Sequence, residues 1–261
     1  MTGHTIGFIG TGVLASSMIR GICSSGELSH TRIVTSPRNA AISSELAAAF
    51  ENVSVASSNQ EALDACDWAV ISVTPKLGEA VVRELNFRPN HTVISLLATK
   101  RLDTVKSWMP PVGRMFRMVP MPFIAHRVGP ITLFPAAPDM EEFFGRLGRV
   151  ITVEEEPQVE LTNAITSVTN ATYTVIRDVA DWGAKNGLPP GASRDYTIAY
   201  FEAMLSQISG KYADELPRFV EERTPEGVND TVMKMISSRG GFALWTEALD
   251  AAIKKIRADY M

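Results

Sequence analysis

Cysteine and histidine are scarce in this chain. Of its 261 residues, two are cysteine and four are histidine. Cys23 and Cys66 stand in unrelated contexts, which excludes a disulfide framework and the cysteine-based zinc patterns. His4, His30, His91 and His126 are scattered, and none stands with a serine or an acid at triad spacing. No HExxH, GxSxG or Walker pattern occurs. Glu154-Glu155-Glu156 reads as a solvated acidic run, so no metal site is expected. Apolar runs fall short of the roughly 18 residues that a membrane span requires. A formal net charge of −4, with no basic run, gives no footprint for nucleic acid or an anionic membrane. The first strand opens within a few residues of Met1, so no signal peptide is expected. Together these absences point to a soluble cytoplasmic protein with neither nucleic acid nor membrane as its partner.

What is present begins at once. Ile6 to Ile9 is a short apolar run that reads as a buried strand, followed by Gly10-x-Gly12-x-x-Ala15 and an amphipathic helix carrying Leu14, Met18, Ile19 and Ile22. Strand, glycine turn and helix in that order form a dinucleotide-binding fingerprint. Gly10 permits the tight turn, Gly12 lets backbone approach a pyrophosphate, and Ala15 lets helix and strand pack closely. The helix N-terminus offers unpaired N–H groups and positive partial charge to the phosphates. A second strand, 31–36, ends without the acid that bonds adenosine ribose hydroxyls in NAD-binding versions of this fold. Ser36, Arg38 and Asn39 stand there instead, and Arg38 suits a 2′-phosphate. NADP(H) is therefore the expected cofactor, with NAD(H) as the alternative.

Further strands are expected at 53–55, 68–73, 91–97, 114–119, 129–134 and 150–153, with helices between them. Alternation over some 150 residues specifies an α/β fold of the Rossmann type, a doubly wound sheet. Proline ends the 68–73 run at Thr74-Pro75, at the carboxyl end where open α/β sheets bind ligands. From Pro157 onward the chain reads as helical throughout, with helices expected at 159–183, 192–208, 212–220, 228–237 and 242–260. The division is thus 1–156 for dinucleotide binding and 157–261 for an all-helical substrate and dimerisation domain. Helices apolar on two sides, in so small a piece, imply a subunit interface. Gly227-Val228-Asn229 and Asp230 precede a helix, so free N–H groups there suit a carboxylate, or Asn229 or Asp230 simply caps the helix.

Five landmarks in order carry a resemblance: "IGFIGTG" at the start, the apolar strand ending in Pro75, "RMVPMP" near residue 120, a long helix with Tyr173, and "TPEGVND" with "RGGF". The chain resembles the pyrroline-5-carboxylate reductase family over nearly its whole length. The resemblance implies NAD(P)H-dependent reduction of the C=N bond of a cyclic imino acid to proline, by a dimer interlocked through its helical domains. It places Gly10, Thr11, Gly12, Val13 and Leu14 on the phosphate turn, and Ser36 and Arg38 at the ribose phosphate. It also implies cofactor contacts for Asn59, Val73, Thr74, Pro75 and, near the nicotinamide, Ala98.

The substrate half departs from the family. Its Arg-Val-Met-Pro-Asn-Thr-Pro stands here as Arg117-Met118-Val119-Pro120-Met121-Pro122-Phe123, and its Gly-Ser-Gly-Pro-Ala-Tyr as Val168-Thr169-Asn170-Ala171-Thr172-Tyr173. Its Ser-Pro-Gly-Gly-Thr-Thr becomes Thr224-Pro225-Glu226-Gly227-Val228-Asn229. The resemblance makes Thr169 and Asn229 the catalytic hydrogen-bond partners, and Asn170, Tyr173, Gly227 and Val228 the substrate contacts. Two other readings stay open: a reductase or dehydrogenase for a less polar substrate, and a nucleotide-binding regulatory protein without turnover.

Overall fold

The computed structural model describes residues 4–209 and 215–258. Close packing divides the chain into two units, 1–163 with 255–261, and 164–254. The division read from sequence at 156/157 falls just before α7 (Gln158–Thr166). Packing carries the first unit further because Val159 and Glu160 are fully buried in it.

The first unit is built on eight strands: β1 (Ile6–Ile9), β2 (Ile33–Thr35), β3 (Val53–Val55), β4 (Trp68–Ile71), β5 (Thr92–Ser95), β6 (Arg114–Pro120), β7 (Pro130–Phe134) and β8 (Arg149–Thr152). They form one sheet in the order β3-β2-β1-β4-β5-β6-β7-β8. Six helices connect them: α1 (Val13–Cys23), α2 (Ala40–Ala49), α3 (Asn59–Asp64), α4 (Pro75–Arg83), α5 (Leu102–Lys106) and α6 (Pro138–Gly145). All pairs are parallel except β6–β7, which is antiparallel with Arg117 opposite Phe134. The cause is the short link between these strands. Residues 122–126 make one 3-10 turn, and no crossover helix is available to bring the chain back parallel.

Period-two alternation sends side chains to two separate cores. Ile6, Phe8, Trp68, Val70 and Ile94 pack with α1 and with Phe143 and Phe144 of α6. Ile9, Ala69, Ile71 and Val93 pack on the other face with Leu63, Val82 and Val105. Each fully buried Phe- or Ile-sized side chain contributes about 1.5–3 kcal/mol. Trp68 is edge-on to Phe143 at 5.0 Å, which orients the neighbouring rings as well as burying them.

The second unit contains α8 (Thr169–Lys185), α9 (Pro190–Gln207), α10 (Leu216–Glu221), α11 (Val228–Ser238) and most of α12 (Ala243–Ala258). The helix expected at 159–183 is two, α7 and α8, parted at Ser167-Val168. The part of the expected 212–220 helix at 212–214 lies outside the described residues. Gly187 turns the chain between α8 and α9, which form a hairpin locked by Ser193 Oγ donating to the Ala180 carbonyl at 2.7 Å. Its apolar side chains are largely exposed, with Trp182 at 67% and Tyr196 at 73%.

Candidate functional site

The site assembles where β1 and β4 lie side by side. From β1 the chain proceeds to β2 on one side and β3 beyond it, then returns to β4 on the other side. This reversal opens a crevice at the carboxyl ends of the strands. Gly10, Thr11 and Gly12 follow β1, Arg38 and Asn39 follow β2, and Ser72, Val73, Thr74 and Leu77 follow β4. These nine residues line one cleft of about 300 Å³.

The turn is held from behind. Gly10 has φ of 96°, and its N–H donates to Ser36 Oγ at 2.8 Å. Thr11 Oγ1 donates to the Ser36 carbonyl at 3.3 Å, and Ser43 Oγ donates to the same oxygen at 3.0 Å. From the β4 side, Ser72 Oγ donates to the Gly10 carbonyl at 2.5 Å. A Cβ on Gly10 would lie 2.8 Å from Val73 Cγ1, whereas one on Gly12 would meet nothing within 4 Å. Gly12 thus leaves open space over the start of α1, where no side chain caps the helix and no acid occupies the first turn. Unpaired N–H groups, open space and Arg38 exposed on the rim fit the phosphates of a dinucleotide. Among the described residues no ion pair engages Arg38.

Six of the expected cofactor residues therefore line one cleft: Gly10, Thr11, Gly12, Arg38, Val73 and Thr74. Ser36 does not. It is fully buried, and its hydroxyl serves the Gly10 N–H instead of the cleft. Val13 is exposed on α1, while Leu14 is half-buried against the core. Asn59 opens α3 beside its cap Ser58, and Pro75 takes the first turn of α4. Ala98 lies past the end of β5, its carbonyl accepting from Arg117 Nη2 at 2.7 Å. Ser72 and Leu77 line the cleft without having been singled out. The signal for Ser72 was a lone hydroxyl at the close of an apolar strand.

The acidic run at 154–156 is not uniformly solvated. Glu156 Oε1 accepts from Arg117 Nη1 at 3.2 Å and from the Leu102 N–H at 2.7 Å. Two of the histidines are engaged in the structure of the sheet unit. His91 is fully buried with Nδ1 accepting from the Arg88 N–H, and burial, then the Arg88 charge, lowers its pKa. His4 stacks on Trp68 at 4.6 Å. Among the described residues no cluster of His, Cys, Asp or Glu suits a metal ion.

In the second unit, Thr169 opens α8 and its Oγ1 donates to the Thr166 carbonyl at 2.7 Å, leaving the oxygen's lone pairs as acceptors. Asn170 and Tyr173 are exposed on the same helix. Gly227 is the N-terminal boundary of α11 with no side-chain cap, and Val228 and Asn229 are exposed in its first turn. Asp230 is the residue that braces this start. Its carboxylate accepts from Arg223 Nε at 3.0 Å, from the Glu226 N–H at 3.1 Å and from Lys234 Nζ at 2.7 Å. Asp230 stands in the first turn of α11 and engages both cations itself. Among the described residues no hydrogen bond joins Thr169 to Asn229.

A glycine cradle at the switch point of a mostly parallel sheet defines a dinucleotide-binding protein of the Rossmann class. A family model described as "NADP oxidoreductase coenzyme F420-dependent" matches residues 5–99. Beyond that segment the likeness extends to the whole chain and bears out the resemblance read from its landmarks. The pyrroline-5-carboxylate reductase of Glycine max is 28% identical over 270 residues, covering 97% of this chain and 95% of that one. That of Coxiella burnetii superposes with a TM-score of 0.84 at 21% identity, covering both chains in full. The Plasmodium falciparum pyrroline carboxylate reductase, solved with NADP bound, superposes with a TM-score of 0.80 at 18% identity, again over both full chains.

Proposed function

We propose that this chain is an NADPH-dependent reductase of the pyrroline-5-carboxylate reductase family, reducing the C=N bond of a cyclic imino acid. The observation that carries the reading is the open phosphate cradle at Gly12, set within a chain similar to these reductases along nearly its whole length. The cofactor, when bound, supplies the hydride. The protein's residues have three tasks. The start of α1 and Gly12 bind the pyrophosphate, while Arg38 holds the 2′-phosphate and so favours NADPH over NADH. The α11 N-terminus at Gly227, Val228 and Asn229 binds the substrate carboxylate. Thr169 Oγ1 accepts a hydrogen bond from the protonated substrate nitrogen, with Asn229 as the second polar partner, and Asn170 and Tyr173 flank it. An iminium that enters already protonated lessens the need for a strong general acid.

The working form is a homodimer through the helical segment. The reading includes a cytoplasmic location, with both cysteines as free thiols and Cys66 kept unreactive by burial, which pushes its pKa up to about 12. A second reading, a less polar imine or carbonyl substrate, is favoured by Met121 and Pro122 standing where the family has asparagine and threonine, with the apolar Phe123 beside them. NADPH oxidation followed at 340 nm with pyrroline-5-carboxylate tests the first reading. Turnover above background with proline as product is expected. No turnover with this imine, but turnover with an apolar cyclic imine, transfers the case to the second.

A further inference from the structure

Residues 98–102 leave the carboxyl end of β5, and three side chains from other elements grip them. Arg117 of β6 holds the Ala98 carbonyl at 2.7 Å through Nη2. Glu156 accepts from the Leu102 N–H at 2.7 Å, and so satisfies an N–H at the start of α5. Glu160 accepts from Arg101 Nη2 at 2.6 Å and Nε at 3.1 Å. The grips are tied together, Arg117 Nη1 reaching Glu156 at 3.2 Å and Arg257 Nε reaching Glu160 at 3.2 Å.

These are costly groups to place here. The side chains of Arg117 and Glu160 are 0% and 1% exposed. Desolvating such ions costs several kcal/mol each before their partners compensate, and well-packed apolar residues often stabilise as well or better. What apolar residues cannot do is fix a carbonyl direction. A guanidinium is a rigid planar fork, and Arg117 uses two prongs on two different elements: the loop after β5 and the acid that holds α5. A lysine ammonium at the same place lacks that fork.

We infer that Arg117 is a positioning residue, which with Glu156 sets the backbone at Ala98 and thereby the seat of the nicotinamide ring. This rests on the reductase reading for the identity of the ring, while the set of contacts on 98–102 is a property of the chain alone. The phosphate end of the cofactor is held elsewhere, at Gly12 and Arg38. Loss of Arg117 function therefore disturbs the reacting end and spares overall cofactor affinity.

The test compares Arg117→Lys, Arg117→Met and Glu156→Gln with the parent chain. Amide hydrogen exchange is measured on the cofactor-free protein, NADPH affinity by fluorescence, and kcat and KM on the substrate that turns over. In Glu156→Gln and Arg117→Met, exchange across 98–102 is expected to quicken at least ~10-fold, with residues 10–14 unchanged. NADPH affinity stays within about 3-fold while kcat falls ~10- to 100-fold, the scale of a 1 Å misplacement. Arg117→Lys recovers part of kcat. Thermal destabilisation with normal exchange at 98–102 and normal kcat per folded molecule would mark a merely structural role and overturn the inference. Should Arg117→Met fail to fold, Glu156→Gln, which keeps an acceptor in place, decides the matter. If the parent turns over no imine, the reductase reading fails, and the exchange data still decide whether Arg117 orders the loop.

Discussion

Gly10 and Gly12 stand two residues apart and are glycine for opposite reasons. Gly10 must be glycine for the fold: its φ is 96°, and a Cβ would press on the Val73 side chain and its backbone nitrogen, 2.8 and 2.9 Å away. Gly12 has an ordinary φ of −88° and empty space beside it, so its lack of a side chain matters to whatever enters the cleft. Gly10→Ala is expected to cost roughly 1–3 kcal/mol of stability. Gly12→Ala is expected to melt within about 2 °C of the parent yet bind NADPH at least ~10-fold more weakly, its methyl group meeting the pyrophosphate. Thermal melts beside NADPH titrations check both. Unchanged affinity in Gly12→Ala would remove the phosphates from this turn. Ser36 makes the complementary point. A hydroxyl at the end of β2 looks like a ligand contact in sequence, but whether it faces ligand or backbone depends on where residue 10 sits, and the two are 26 positions apart.

At the scale of elements, strands were the most legible because each is a short apolar run closed by Pro, Gly or polar residues, and all eight form where expected. Helix breaks were less so. The interruption at 167–168 contains neither proline nor glycine; local hydroxyls mark it, with Ser167 Oγ donating to the Ala164 carbonyl at 2.6 Å and Thr169 Oγ1 to that of Thr166. Glu156 reads as solvated in sequence because its arginine lies 39 positions away on another element. The α11 start has a feature that pH can probe. Hydrogen bonds from Lys234 and Arg223, then the Glu226 N–H, lower the Asp230 pKa from 3.8 to about 2. A depressed folded value means its stabilising contribution is complete above about pH 4, the unfolded range for aspartate, and is lost as pH falls toward 2. Asp230→Asn should therefore be less stable than the parent at neutral pH, the gap closing as pH falls through this window. Denaturant titrations from pH 7 to pH 2 measure it, and a gap independent of pH would separate Asp230 from this role. Salt should narrow the gap, since Lys234 is 70% exposed.

For the molecule as a whole, the two units bury their apolar residues very differently. The sheet has a core on each face, while the described part of 164–254 leaves Tyr173, Val179, Trp182, Tyr196, Ile198 and Leu205 exposed. Patches of this kind mark association surfaces. A dimer in light scattering is expected, with a melting temperature that rises with protein concentration. Trp182→Asp should shift the equilibrium toward monomer. A parent chain that is monomeric at tens of micromolar, with a concentration-independent melt, would argue against dimerisation through these helices.

Glu160 also sets a clock. Its first arginine, Arg101, precedes it in the chain, but its second, Arg257, follows 97 positions later. At ribosomal speeds of about 5–20 residues per second, roughly 5 to 20 s separate the synthesis of this carboxylate from that of its second arginine. Throughout that interval the chain holds Arg101 but not the arginine that completes the charge cluster beside residues 98–102. The Glu160–Arg257 pair thus cannot form until α12 has been made.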